Sequence, residues 1–116
     1  MIARRLGLQT VLFQQAPRIA GCATIAGPKE GEGPLRDYFD IVLSDDLYGE
    51  KSWELAESKM LRESVKKAAE KANVSMEKIE YMFSGDLLNQ LMSASFAARD
   101  LGIPFFGLYG ACSTMT

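Results

Sequence analysis

Three β-prone segments alternate with two helix-forming segments along this sequence of 116 residues. Residues 18–26, 79–84 and 105–109 are β-prone, and helices are predicted over 53–72 and about 88–101. Alternation of this kind builds a parallel sheet whose strands are joined by right-handed crossover helices. The sequence therefore predicts an α/β fold with a three-stranded, mainly parallel sheet and two helices, which is half of a doubly wound domain.

The first predicted helix is strongly amphipathic. Apolar residues recur at spacings of three and four from Ala56 to Ala72, while charged residues, Glu57 among them, occupy the other side. Ser52 is suited to cap the start of the helix, and Asn73 to end it. We therefore expect one face on the core and the other, with Glu57, in water.

The second predicted helix is rich in small side chains over residues 93–98, which favours burial against neighbouring elements. Gly102 is expected to end it, and Pro104 prevents its continuation. Between the first β-prone segment and the first helix, residues 27–51 are rich in glycine and aspartate and predict one long surface loop. Connections of that length are either functional, as a lid or interface, or simply solvated.

Charge and apolar content exclude several classes of protein. The 13 Lys and Arg against 15 Asp and Glu leave a net charge of −2, without the basic surface that nucleic-acid binding requires. No apolar run reaches the roughly 18 residues that cross a bilayer, and the sequence after Arg4 and Arg5 lacks a signal peptide's apolar core. We therefore expect a cytoplasmic chain.

Cofactor motifs are also missing from the sequence. There is no histidine, and the two cysteines have neither metal-ligand spacing nor the number that a disulfide framework needs. The glycine-rich stretch 27–33 lacks the Gly-Lys-Ser/Thr ending of a phosphate loop, and Arg36 stands where a dinucleotide fingerprint needs glycine. The sequence predicts no metal and no cofactor.

The candidate site lies where the predicted strands end, because ligands of parallel α/β folds bind at the carboxyl ends of strands. Three segments fall there: the loop from Gly27, residues 85–90, and residues 110–114. Asp86 and Asn89 are placed to hydrogen-bond a ligand, although Asp86 is equally well explained as a turn or helix-capping residue.

The two cysteines receive different interpretations. Gly110 and Ala111 permit a tight turn before Cys112, and a helix starting there would lower the thiol pKa and make Cys112 a nucleophile. The alternative, favoured by these residues alone, is a small buried core cysteine. Cys22, in mid-strand, is expected in the core. Without a histidine to act as base, the chain by itself is not expected to catalyse acyl transfer.

Short motifs extend over nearly the whole chain: Gly27-Pro28, Glu32 to Leu35, Phe39-Asp40, Asp45 to Leu47, Ser52 to Glu54, Gly85 to Gln90, Ser95 to Arg99, Leu101 to Phe105, and Gly110 to Thr114. In this order they resemble the amino-terminal part of the stage V sporulation protein AD family, thiolase-like proteins of endospore formers. The last motif alone would indicate only the wider thiolase and ketoacyl-synthase superfamily, in which its cysteine carries the acyl group.

The resemblance implies a thiolase fold of two similar βαβαβ-based halves, with residues 1–116 as the incomplete amino-terminal part of the first. It implies a sporulation protein that binds dipicolinic acid and helps move it into the developing spore. Its partners would be other stage V membrane proteins at the spore inner membrane, where it would be peripheral, and homodimers are expected by analogy. The ligand site would include Asp86, Asn89, Cys112 and Ser113.

Two alternatives to dipicolinate binding remain open at this stage. One is an acyltransferase that uses Cys112 as nucleophile, with the histidine supplied by the second half of the thiolase fold. The other is a truncated chain that does neither, which open sheet edges favour.

Overall fold

The computed structural model of the chain describes residues 4–110 and 112, and within them it is a mixed α/β structure. Short 3₁₀ turns lie at Glu30–Glu32, Arg36–Tyr38 and Met76–Lys78. The strands and helices, in chain order, are β1 (Arg4–Leu6), β2 (Thr10–Leu12), β3 (Ile25–Ala26), β4 (Ile41–Val42), α1 (Trp53–Lys71), β5 (Met82–Ser84), α2 (Met92–Leu101) and β6 (Phe105–Gly107).

The strands form three separate pairs. β1 and β2 make an antiparallel hairpin, β3 pairs in parallel with β4, and β5 pairs in parallel with β6 across the α2 crossover. The predicted α/β alternation with two helices is confirmed, but within residues 4–110 the single three-stranded sheet is not formed. The edge of β3 is paired with β4: the N–H of Ile41 in β4 and the N–H of the following Leu43 donate hydrogen bonds to the carbonyl oxygens of Thr24 and Ala26.

The prediction of one loop over residues 27–51 was wrong at its centre. Ile41 and Val42 form β4, and the next residue, Leu43, is buried. Two β-branched residues followed by leucine are a typical strand sequence. The strand was missed because the acidic residues on both sides of residues 41–43 lower the average hydrophobicity of this part of the sequence.

Helix α1 begins and ends as predicted. The Ser52 Oγ accepts a hydrogen bond from the backbone N–H of Leu55 at 3.3 Å, which caps the first turn. After Ala72 the chain leaves the helix at Asn73, whose φ of 53° is left-handed. The predicted end of α2 at Gly102 is also confirmed, since Gly102 has a φ of 68°.

In the segment before β3, half-buried and exposed residues alternate, and Gly21 packs on α1. Gly21 lies so close to α1 that an added Cβ would stand 2.8 Å from the carbonyl oxygen of Ala68. Ala23 and Ile25 follow on the same side, whereas Cys22 and Thr24 face outward and are exposed. The prediction that Cys22 lies in the core was therefore wrong, because Cys22 falls on the exposed side of this alternating segment.

The core lies between the two helices and the β5–β6 pair. Met82, Ala98 and Ile103 are its buried centre, and α1 contributes Leu61 and Val65. The predicted burial of α2 holds for one face, with Ser93, Ala94, Ala97 and Ala98 buried, while Ser95 and Phe96 are exposed. Within residues 4–110, no helix has the length and apolar content needed to span a membrane.

A charged network joins the β3–β4 pair to the end of α1. The carboxylate of Asp40 accepts hydrogen bonds from the Lys71 Nζ at 2.7 Å and from the backbone N–H of Thr24 at 2.9 Å. The Thr24 Oγ1 in turn accepts one from the backbone N–H of Asp40 at 3.1 Å. The hydrogen bond from Lys71, followed by the one from Thr24, lowers the pKa of Asp40 below its ordinary value of 3.8.

The lowered pKa of Asp40 predicts a loss of stability in acid. A carboxylate with a depressed folded-state pKa stabilises the protein above its ordinary pKa, and this contribution is lost as the pH falls through the lower folded-state value. We expect Asp40→Asn to be less stable than the wild type at neutral pH and the difference to shrink below pH 3.8. Urea unfolding over a pH series measures this, and a difference that stays constant with pH would contradict it.

Candidate functional site

A large cavity among the described residues lies at the ends of β3 and β5. Its volume is about 640 Å³, and it is bounded by Gly27 after β3, by Gly85 after β5, and by one side of α1. These are two of the three strand-end segments that the sequence singled out. A cavity of this size falls in the range of about 300 to 1,000 Å³ that is usual for small-molecule sites.

The walls of this cavity are mainly apolar. Helix α1 contributes Trp53, Ala56, Glu57, Met60, Leu61 and Ser64. Their spacings of three and four place them on a single stripe of the helix. From the other elements come Ala23, Thr24, Ile25, Phe39, Leu43, Asp46, Leu87 and Leu88. The cavity can therefore accommodate the flat apolar body of a ligand, with polar groups at a few positions only.

Glu57 is the polar residue that sequence reasoning placed wrongly. It was expected in water, but its Oε1 accepts a hydrogen bond from the backbone N–H of Leu87 at 2.8 Å. Its Oε2 is buried and has no hydrogen-bond partner among the described residues. The signal was present in the sequence, because Glu57 follows Trp53 by four residues and precedes Met60 and Leu61 on the same stripe.

The carboxylate of Glu57 ties α1 to the turn after β5. Asp46, from the segment after β4, is an exposed second carboxylate at the cavity. Two negative charges in the lining favour ligand groups that donate hydrogen bonds or carry positive charge. They oppose an anion unless other charges compensate.

Asp86 is buried at the start of α2 and acts on the chain's own backbone. One oxygen of its carboxylate accepts a hydrogen bond from the N–H of Leu91 at 2.7 Å, and the other accepts one from Ala94 at 2.9 Å. Leu91 is the residue before the first turn of α2 and has a left-handed φ of 71°. Its side chain makes no capping hydrogen bond. Asp86 therefore supplies the cap for α2 and holds the strained Leu91, which is the capping alternative derived from the sequence.

The other predicted site residues lie apart from this cavity. Asn89 is exposed, donates a weak hydrogen bond from Nδ2 to the Met92 Sδ at 3.7 Å, and lines a different, smaller cavity. Cys112 is an exposed free thiol and is absent from the described residues that line the large cavity. In this structure Cys112 is therefore not a buried core cysteine, the alternative favoured from the residues alone. Ser113, and the helix expected after Cys112, lie outside the described residues.

Comparison with known proteins gives one consistent result. Residues 7–116 match the family model of stage V sporulation protein AD. The chain is also 41% identical over 108 residues to stage V sporulation protein AD of Bacillus subtilis (strain 168). That match covers 93% of this chain and 32% of the relative, so the chain spans about a third of the length of the curated relative it matches.

Proposed function

The chain belongs to the stage V sporulation protein AD family, and from this membership we propose that it forms the amino-terminal part of a dipicolinate-binding protein of sporulation. The large cavity between the ends of β3 and β5 is the observation that carries the proposal. Dipicolinic acid is a planar pyridine ring with two carboxylates. A mainly apolar cavity of about 640 Å³ at the ends of parallel strands has room for such a ring.

A thiolase-like fold for the complete domain belongs to the same proposal. The succession β3, α1, β5, α2, β6 has the order of a βαβαβ half, and β5 and β6 pair in parallel. The open edges of the two parallel pairs leave room for further strands or for a second copy. In the cell, the completed protein would bind dipicolinate beside the stage V membrane proteins of the spore inner membrane.

The charges of the cavity set a condition on dipicolinate binding. At neutral pH the ligand is a dianion, and it would meet the carboxylates of Glu57 and Asp46. Repulsion between like charges falls with ionic strength, since the Debye length shortens from about 30 Å at 0.01 M salt to about 10 Å at 0.1 M. Dipicolinate is therefore expected to bind more tightly as salt is added, which is the reverse of the behaviour of a basic anion site.

Filling the cavity tests the proposal. Leu88 lines the cavity and is 53% exposed, so that Leu88→Trp narrows the cavity without overpacking the core. We expect this change to weaken dipicolinate binding about tenfold or more, the effect of losing about 1.4 kcal/mol of contacts. Calorimetric titration at low and moderate salt measures it. Leu35→Trp is the matched control, because Leu35 is 56% exposed and lies outside the lining.

Two further results bear on the same titration. Benzene-1,3-dicarboxylate has the shape and charge of dipicolinate without the ring nitrogen, and weaker binding of this analogue would show that the nitrogen is recognised. Equal loss of binding in Leu88→Trp and Leu35→Trp, or no binding to the wild-type chain at either salt concentration, would remove the dipicolinate site from this cavity.

Acyl transfer on Cys112 is the second candidate, and the exposure of its thiol is the observation that favours it. Nucleophilic attack on an acyl thioester would move the acyl group to Sγ and release the thiol of the donor. Cys22 is an internal control, because it is also an exposed free thiol. We expect a reactive Cys112 to gain the acyl mass before Cys22 when the chain is incubated with acetyl thioester. Equal modification of both residues would identify ordinary thiols.

A further inference from the structure

The β1–β2 hairpin is exposed on both of its faces. All three residues of β1 and all three residues of β2 are exposed among the described residues. Successive side chains of a strand point to opposite faces, so a hairpin that packed on the core would bury every second residue. Neither face of this hairpin shows that pattern. Both faces are therefore available to a partner outside the described part of the chain.

The tip of the hairpin is apolar. The turn after β1 consists of Gly7, Leu8 and Gln9, and Leu8 is 91% exposed. Further exposed apolar side chains stand behind the turn on both strands and just after β2: Leu6, Val11, Leu12 and Phe13. Exposed apolar groups that lie together mark sites of contact with proteins or membranes. The tip is therefore expected to enter an apolar environment when the hairpin meets its partner.

The base of the hairpin is positively charged. Arg4 lies opposite Leu12 and Arg5 lies opposite Val11, at the end of the strand pair that is away from the turn. Neither arginine forms an ion pair with any described residue. Three residues separate Arg5 from Leu8, which is about 10 Å of extended chain. This distance matches the depth of about 5 to 10 Å at which apolar groups of a bound protein lie below the lipid headgroups.

The distribution of charge along the chain indicates the kind of partner. Residues 1–28 contain three arginines and no aspartate or glutamate, whereas residues 29–116 contain 10 Lys and Arg against all 15 Asp and Glu. An anionic surface therefore attracts the hairpin and repels the rest of the chain. Pairing with the hairpin of a second copy would instead bring like-charged arginines together. We propose that the β1–β2 hairpin inserts its apolar tip into an anionic lipid bilayer, with Arg4 and Arg5 at the level of the lipid phosphates.

Co-sedimentation of the 116-residue chain with lipid vesicles tests the proposal. We expect binding to vesicles of equimolar phosphatidylglycerol and phosphatidylcholine, and binding about tenfold or more weaker to phosphatidylcholine alone. Added salt weakens the binding to the anionic vesicles, because ions screen the arginines. Leu8→Asp is expected to weaken it about tenfold or more, since the tip would carry a charge into the bilayer. Arg4→Gln and Arg5→Gln are each expected to weaken it about fivefold.

The matched controls lie outside the hairpin. Leu35→Asp introduces the same charge at another exposed leucine, and Arg36→Gln removes another exposed arginine. Both variants are expected to bind the vesicles much like the wild type. Equal losses in Leu8→Asp and Leu35→Asp, equal binding to both kinds of vesicle, or no binding at all would overturn the proposal.

Two further measurements separate the bilayer from other partners of the tip. A dimer in analytical ultracentrifugation that Leu8→Asp abolishes would show that a second copy covers the tip. A lower thermal midpoint for Leu8→Asp than for Leu35→Asp would show that the tip packs on the protein itself. Either result would overturn the proposal, which expects no such dimer and equal midpoints. Dipicolinate is absent from all of these assays, so their outcome is independent of whether it binds.

Discussion

Replacing Asp86 with alanine is expected to lower the free energy of unfolding by about 3 kcal/mol. The change removes the carboxylate that accepts two hydrogen bonds at the buried start of α2. The N–H groups of Leu91 and Ala94 then lose their acceptor. It also removes the group that holds Leu91 at a φ of 71°. Urea unfolding monitored by far-ultraviolet circular dichroism measures the effect, with helix loss reporting on α2.

Two companion variants separate the capping role of Asp86 from a role in ligand binding. Asp86→Asn keeps one oxygen acceptor and is expected to lose about half as much stability as Asp86→Ala. Asp100→Ala is the control, because Asp100 is an exposed residue of α2 whose carboxylate pairs with Arg62 at the surface. If Asp86→Asn keeps full stability but loses dipicolinate binding, then Asp86 is a ligand group, as the resemblance implied, and its capping role is minor.

Replacing Met82 with alanine is expected to lower the free energy of unfolding by a comparable amount, about 3 kcal/mol. Met82 is 7% exposed at the start of β5, where it packs with Ala98 and Ile103 in the centre of the core. The residues packed in this cluster come from α1, α2 and β6 among others. These elements have little freedom to move into the cavity that the alanine substitution leaves. The loss therefore contains both the transfer term and a cavity term. Chemical denaturation of the variant measures it.

The next residue along β5 provides the control for Met82. Phe83 is 68% exposed on the opposite face of the strand, and its ring stacks on Phe106 at a centroid distance of 5.1 Å. Phe83→Ala is expected to cost about 1 kcal/mol or less, the value of one exposed aromatic pair. A larger loss for Phe83→Ala than for Met82→Ala would mean that the core lies on the other side of the β5–β6 pair.

Local sequence determined the helices of this protein. The stripe from Ala56 to Ala69, the cap at Ser52 and the end at Asn73 are properties of a continuous segment, and each appears in α1 where it was predicted. Gly102 and the following Pro104 likewise ended α2. Helix signals are readable because the hydrogen bonds and capping groups involved lie within a few residues of one another.

Strand pairing was the part of the fold that sequence could not determine. The local sequence of residues 25–26 does not indicate whether they pair with residues 41–42 or with residues 82–84. Strand pairing depends on contacts between residues that are far apart in the chain. The same limit explains Cys22. Its neighbours predicted a buried strand, but Cys22 is exposed between the half-buried Gly21 and Ala23, and burial on both faces would need a second layer of structure.

For the candidate site, too, one part followed from the sequence and another part from the tertiary structure. The sequence by itself determined the family, through the ordered motifs from Gly27 to Thr114. It also predicted three strand-end segments for a site, of which the loop from Gly27 and residues 85–90 border the large cavity. Only the tertiary structure decided what each polar group does there. It directed the carboxylate of Asp86 to the backbone of α2 and brought Glu57 to the turn at Leu87. The physical reason is that a carboxylate bonds the nearest unpaired N–H, and which N–H is nearest is settled by packing.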